Sequence, residues 1–155
     1  MKSKIRYSLC PQMKVYDQIH NIWSPYLMFK QDENIRSKFV NTDNYGLRYT
    51  DPEGSEKTRY SLFENNLNIK NEEIALIGGS AAFGVGSSSD TETIASKLSL
   101  LTQKSVFNLG LRAHNGFQEI INFQILINKF KNLKYVILFS GFNDIFLSKY
   151  ISKEG

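Results

Sequence analysis

Three short blocks hold residues whose types suit acyl-transfer chemistry: Gly78-Gly79-Ser80-Ala81-Ala82-Phe83-Gly84, Asn108-Leu109-Gly110 and Gly141-Phe142-Asn143-Asp144. A serine hydroxyl can attack a carbonyl carbon, but it needs a base to take its proton. The tetrahedral oxyanion that follows needs hydrogen-bond donors already in place. Ser80 is the candidate nucleophile. Taken singly, each block has a plainer reading: Ser80 in a small-residue turn, Asn143 in an Asx-type turn, and Gly110 where the backbone requires glycine.

The elements around the blocks give them a shared address. Ile74-Ala75-Leu76-Ile77 is a short apolar run meeting Gly78-Gly79, as a buried parallel strand running into a loop would be. Val106-Phe107-Asn108-Leu109-Gly110 reads as a second strand and Tyr135-Val136-Ile137-Leu138-Phe139 as a third. Between the first two, Ser89-Asp90-Thr91-Glu92 has the capping-box pattern, and Ile94, Ala95, Leu98 and Leu101 recur at helical spacing, which predicts a helix over 91–102. A second helix is predicted over 117–130. Alternating strand and helix argue for a parallel sheet with right-handed crossovers, whose ligands sit outside the carboxyl ends of the strands. All three blocks fall at such ends.

In this order and context, the blocks resemble those of SGNH/GDSL hydrolases. That family has a Gly-Asp-Ser core first, a glycine second and Gly-x-Asn-Asp third, and Ser80, Gly110 and Asn143 occupy the matching positions. The resemblance covers roughly residues 74–144. Gly79 stands where the family often has Asp; the Gly-Gly-Ser version resembles members linked to bacterial surface-carbohydrate metabolism, and Asn41-Thr42-Asp43-Asn44-Tyr45-Gly46-Leu47-Arg48 adds faint support for that branch. The resemblance implies a three-layer α/β/α, flavodoxin-like parallel sheet and a carboxylic ester hydrolase acting on O-acyl groups of carbohydrates. It assigns Ser80 as nucleophile, with an oxyanion hole of the Ser80 and Gly110 N–H groups and the Asn143 amide. Gly79 and Gly141 support the loops, and Asp144 orients the Asn143 loop or caps a helix.

The base that the resemblance implies is a His in an Asp-x-x-His near the C-terminal end of the domain, and no such motif follows Asp144; the match at Asp17-Gln18-Ile19-His20 lies before the Ser80 block. His114, on a loop after the Gly110 block, is weighed as a substitute base against a surface or supporting role; His20 belongs to a segment without clear periodicity. The expectation is therefore a C-terminally incomplete hydrolase domain over 71–155, almost inactive alone, since loss of the base can cost about a millionfold in turnover. The alternative is a catalytically inactive ligand-binding or vestigial module of the same fold. An incomplete sheet would leave its last strand edge and helix faces uncovered, which calls for an oligomer or a completing partner chain.

The first 70 residues read as an irregular extension, divided from the rest by the polar stretch Asn65–Asn71. Within it, Lys38-Phe39-Val40-Asn41 is predicted as a short strand. Asn44-Tyr45-Gly46 and Asp51-Pro52-Glu53-Gly54 supply turns, and Trp23, Tyr26 and Phe29 are expected to pack.

Composition narrows the rest. The net charge of +4 is scattered and forms no basic stripe, so no nucleic-acid partner is expected. Nucleotide binding is weak: Gly78, Gly79, Gly84 and Gly86 form neither Gly-Lys-Ser/Thr nor Gly-x-Gly-x-x-Gly. Gly78-Gly79-Ser80-Ala81-Ala82 also breaks the Gly-x-Ser-x-Gly elbow of α/β-hydrolases. The single Cys10 has no assigned role, no metal or organic cofactor is implied, and no signal peptide or membrane-spanning run is visible, so a cytoplasmic location is expected.

Overall fold

The structure is a computed structural model, and it describes residues 2–64 and 72–151. The predicted divider at Asn65–Asn71 lies outside the described residues.

Two short helices, α1 (Lys2–Leu9) and α2 (Met13–Tyr16), lead into an antiparallel hairpin of β1 (Asn21–Ser24) and β2 (Met28–Gln31). A run of turns follows to residue 64. The second part alternates β3 (Glu73–Gly78), α3 (Ser80–Phe83), α4 (Ile94–Thr102), β4 (Ser105–Asn108), α5 (Gly116–Leu126), β5 (Leu133–Phe139) and α6 (Phe142–Ile151). The strands form one parallel sheet in the order β4-β3-β5, with the first strand in the middle. The fold is α/β, as the alternation predicts.

Side-chain alternation along β3 sorts the core. Ile74 and Leu76 pack with Ala82, Ala95 and Val106, and with Ile94 and Leu98 of α4. Ala75 and Ile77 face the other way, with Phe107, Leu109 and Leu126 and with Ile121 and Phe123 of α5. Helices thus cover both faces. Burying each large aliphatic side chain contributes about 1.5–3 kcal/mol. The second cluster also takes in Leu27, Leu47, Tyr60 and Leu62, so the segment before residue 65 completes the core beneath α5.

Several local expectations change. Lys38–Asn41 is not a strand: Ser37 Oγ accepts from the N–H groups of Phe39 and Val40, and Asn41 Oδ1 accepts from Ser37 N–H, which curls the segment into a turn. Such local side-chain bonds compete with a ladder. The turn at Asn44-Tyr45-Gly46 does close a hairpin-like bridge between Thr42 and Arg48; Gly46 adopts φ +94°, and a Cβ there would stand 2.6 Å from Gln31 O. The capping box expected at Ser89 does not form. Residues 90–92 make a single 3-10 turn, and α4 starts at Ile94 behind Thr93, whose hydroxyl accepts from Ser96 N–H. A capping box occurs instead at Asn115 and Gln118, opening α5. Trp23 and Tyr26 are not packed: they are 77% and 84% exposed, on and beside the hairpin turn, and only Phe29 is partly buried, edge-on to His114.

On the other side, β5 pairs only with β3 among the described residues. Tyr135, Val136, Leu138 and Phe139 of this strand are exposed, as are Phe142, Ile145, Phe146 and Leu147 of α6.

Candidate functional site

The site is assembled at the carboxyl ends of β3, β4 and β5, where three loops converge. Ser80 follows β3 after the single residue Gly79 and begins the single turn α3, which Gly84 closes in a left-handed conformation at φ +87°. Two features fix this turn. A Cβ on Gly110 would run into Phe83 N and stand 2.7 Å from Ala82 C, so the loop after β4 lies flat against α3. From the other side, Arg48 donates to the carbonyls of Gly84 (2.7 Å) and Phe83 (3.3 Å).

Arg48 is fully buried. Its Nε donates to Asp90 Oδ1 at 2.8 Å, and its remaining donors reach the Tyr16 hydroxyl and the carbonyls of Phe39 and Ser89. Asp90 also accepts from the backbone and side-chain amides of Asn41. A buried ion pair survives only when its other valences are met, and here they are. The consequence for the site is positional: one guanidinium ties residues 16, 39 and 48 to the loop that carries Ser80.

Ser80 and Asn143 line two adjoining cavities. One, of about 310 Å³, is walled by Ala81, Phe139, Phe142, Gly141 and Glu119, with Gly79 and Ser140. The other, of about 270 Å³, is polar, with Arg6, Asp17, Arg112, Ala113 and Asn21 among its walls. Ser80 Oγ meets no hydrogen-bond partner among the described residues, which leaves it available to substrate and unattended by a base.

The other residues singled out in the sequence fall as follows. Asn143 opens the helix after β5, and its Nδ2 donates to His114 O at 2.6 Å, committing one of the two amide protons and leaving the second. Gly79 is the close-approach point: a Cβ there would lie 3.1 Å from Asn143 Nδ2 and 3.4 Å from both Glu119 Oε1 and His114 O. Gly141 turns the chain at φ +106° with open space around it. Asp144 accepts from Gly116 N–H with both carboxylate oxygens, at 3.1 and 3.0 Å, so it caps α5 and ties the third block to the second.

Gly110 and His114 stand apart from the two cavities. The Gly110 N–H is directed away from the cavities, to Asn108 Oδ1 at 2.9 Å, and Gly110 lines neither of them. Three residues on, Ala113 holds φ +62°, lines the polar cavity with Ser80 and Asn143, and its N–H meets no acceptor among the described residues. His114 is fully buried and lines neither cavity. Its Nε2 lies 2.7 Å from Phe29 O, and since a carbonyl only accepts, Nε2 carries the proton. Burial holds the imidazole below its ordinary value of 6.5, favouring the neutral ring. It is a packing residue whose backbone carbonyl receives Asn143.

Glu119 went unnoticed in the sequence. It sits one turn into α5 beside Gln118 and Asn122, both also buried, so its helix face looks polar and solvent-bound by pattern. In the structure it is 4% exposed, faces the larger cavity, and its Oε2 has no partner among the described residues. Burial raises its carboxyl above the ordinary value; the Ser140 hydroxyl opposes this, and the Asp144 charge adds to it.

No group of three or more His, Cys, Asp or Glu able to hold a metal occurs among the described residues, and none of their helices is long and apolar enough to cross a membrane. No protein-family model matches this chain, and no curated protein matches it either.

Proposed function

We propose that the chain carries the nucleophile and oxyanion side of an SGNH-type serine ester hydrolase on a three-layer, flavodoxin-like sheet. The observation that carries this reading is the convergence of Ser80, Ala113 and Asn143 from three successive parallel strands onto one cavity. Ser80 Oγ attacks the ester carbonyl. The Ser80 and Ala113 N–H groups and the free proton of the Asn143 amide receive the oxyanion, in place of the Gly110 donor that the family pattern suggests. Losing one such donor costs about 100- to 1000-fold in turnover.

The cavity walls divide the ester between them. Ala81, Phe139 and Phe142 suit the acyl chain, and the polar cavity suits the alcohol half, which fits an acylated carbohydrate. The reading requires a base brought to Ser80 from outside these 155 residues, because neither histidine lines the cavities. On their own the residues should show hydrolysis of p-nitrophenyl acetate close to background.

Covalent labelling tests the nucleophile directly. With imidazole added in solution to stand in for the base, a fluorophosphonate should modify Ser80, located by peptide mass spectrometry; Ser80→Ala should abolish the adduct, and Asn143→Ala should slow its formation. Labelling that persists in Ser80→Ala refutes the assignment. The unattended Ser80 hydroxyl also favours a second reading, a ligand-binding module of the same fold. Saturable sugar binding that Ser80→Ala leaves intact, in a protein never labelled at Ser80, selects it.

A further inference from the structure

The polar cavity beside Ser80 contains a cation with no carboxylate partner among the described residues. Arg112 directly precedes Ala113, is half-buried, and lines this cavity with Ser80 and Asn143. Among the described residues only one of its five donors is engaged: Nη1 donates to Ile19 O at 3.0 Å. No carboxylate lies within ion-pair distance of it among the described residues.

The nearby carboxylates are occupied. Asp17 also lines the cavity, but it pairs with Arg6 and accepts from the Tyr7 hydroxyl at 2.9 Å. Asp32 accepts from His20 N–H at 2.8 Å and faces the His20 ring at 3.3 Å. Both act on Arg112 only at longer range, and burial lowers its pKa from the ordinary value, the mark of a charge short of compensation.

From this placement we infer that the alcohol half of the substrate carries an anionic group, a carboxylate or phosphate on a sugar, which Arg112 receives while the ester carbonyl lies over Ser80. The inference rests on the ester hydrolase reading for the word substrate; the anion site itself does not. A planar guanidinium with four free donors grips an oxyacid through two parallel hydrogen bonds, which neutral hydroxyls cannot reproduce. Arg6 belongs to the same wall, but its charge is committed to Asp17. Arg112 is therefore the discriminating group. The apolar acyl cavity on the far side of Ser80 offers no cation, so an anionic acyl chain is disfavoured there.

Isothermal titration of the full chain with galacturonate, galactose phosphate and galactose tests the proposal without requiring turnover. Either acidic sugar should bind about ten- to hundredfold more tightly than galactose, the range expected for hydrogen bonds to a charged group, and the margin should shrink with added salt. The tighter of the two acids identifies the anionic group. Arg112→Gln should erase the margin, and Arg112→Lys should keep part of it, while circular dichroism confirms that each variant is folded. The preferred acid should also slow fluorophosphonate labelling of Ser80 in the wild type and not in Arg112→Gln. Galactose binding as tightly as either acid overturns the inference, as does failure of both acids to bind at millimolar concentration or a folded Arg112→Gln that keeps the preference. Absence of Ser80 labelling with acid binding intact overturns the hydrolase reading alone.

Discussion

Replacing Arg48 by Met tests whether the buried guanidinium holds the Ser80 loop in place. Methionine keeps most of the aliphatic stem and removes every donor. Not all acceptors are then orphaned: Gly84 O still receives the Tyr16 hydroxyl at 3.0 Å, and Ser89 O still receives Glu92 N–H at 3.3 Å. The uncompensated losses are the carbonyls of Phe39 and Phe83 and the charge of Asp90, which retains only the amides of Asn41. Breaking one side of a buried pair costs about 3–5 kcal/mol, and each unsatisfied carbonyl about 1–3 kcal/mol, so a loss near the top of the first range is expected. For a chain of this size that is a fall in Tm of roughly 8–20 °C. Urea unfolding followed by circular dichroism measures it, with an unchanged m-value showing that the same surface unfolds. Pairing Arg48→Met with Asp90→Leu should recover about 2 kcal/mol or more relative to the sum of the single losses, because the second change removes the stranded charge. A loss within about 1 kcal/mol for Arg48→Met refutes the reasoning. Ser80 labelling in the folded fraction should also slow, since the turn that carries Ser80 loses its clamp.

Gly110→Ala should destabilise by about 3 kcal/mol or more, because the new Cβ meets backbone atoms of Phe83 and Ala82 that cannot rotate away; a thermal melt within about 1 kcal/mol of wild type contradicts this packing. Glu119→Gln should change stability in a pH-dependent way. The folded pKa of Glu119 lies above the unfolded value, so the wild type is penalised as pH rises from that unfolded value through the folded one, and the variant escapes the penalty. Relative to wild type, the variant should gain stability between pH 4 and pH 7 in urea titrations. A relative loss over that interval shows that the carboxylate is stabilised in the fold.

The strands and main helices were legible because their signals are strong and local. Ile74–Ile77 and Tyr135–Phe139 are uninterrupted apolar runs, and the helix after Asn115 repeats at helical spacing. The first 64 residues were not, because their order comes from contacts distant in sequence. Arg48 finds Asp90 across 42 positions, and Tyr16 finds Gly84 across 68, with no periodic trace of either. Trp23 and Tyr26 misled because aromatic type argues for burial while the two-stranded hairpin holds them outward. Ser89 misled because Thr93, four residues on, offers an equally good cap nearer the apolar run.

At the site, residue types were readable and donor directions were not. Asn108-Leu109-Gly110 identifies a loop that must pass close to α3, and the structure needs glycine there for that approach. The Gly110 N–H donates to Asn108 Oδ1, so the requirement for glycine at this position is one of packing. In the proposed reading the donor is Ala113, whose left-handed backbone costs an L-residue about 1 kcal/mol and leaves no mark in composition. That strain is held by its neighbours: Asn143 bonds the carbonyl of His114, Asp144 caps Gly116, and the His114 ring is fixed by Phe29. Each brace joins the third block or the hairpin to the loop after β4, so the geometry around Ser80 is set before any ligand arrives. A donor array fixed in advance is what oxyanion stabilisation requires. Loosening any one brace should therefore slow Ser80 labelling more than it lowers stability.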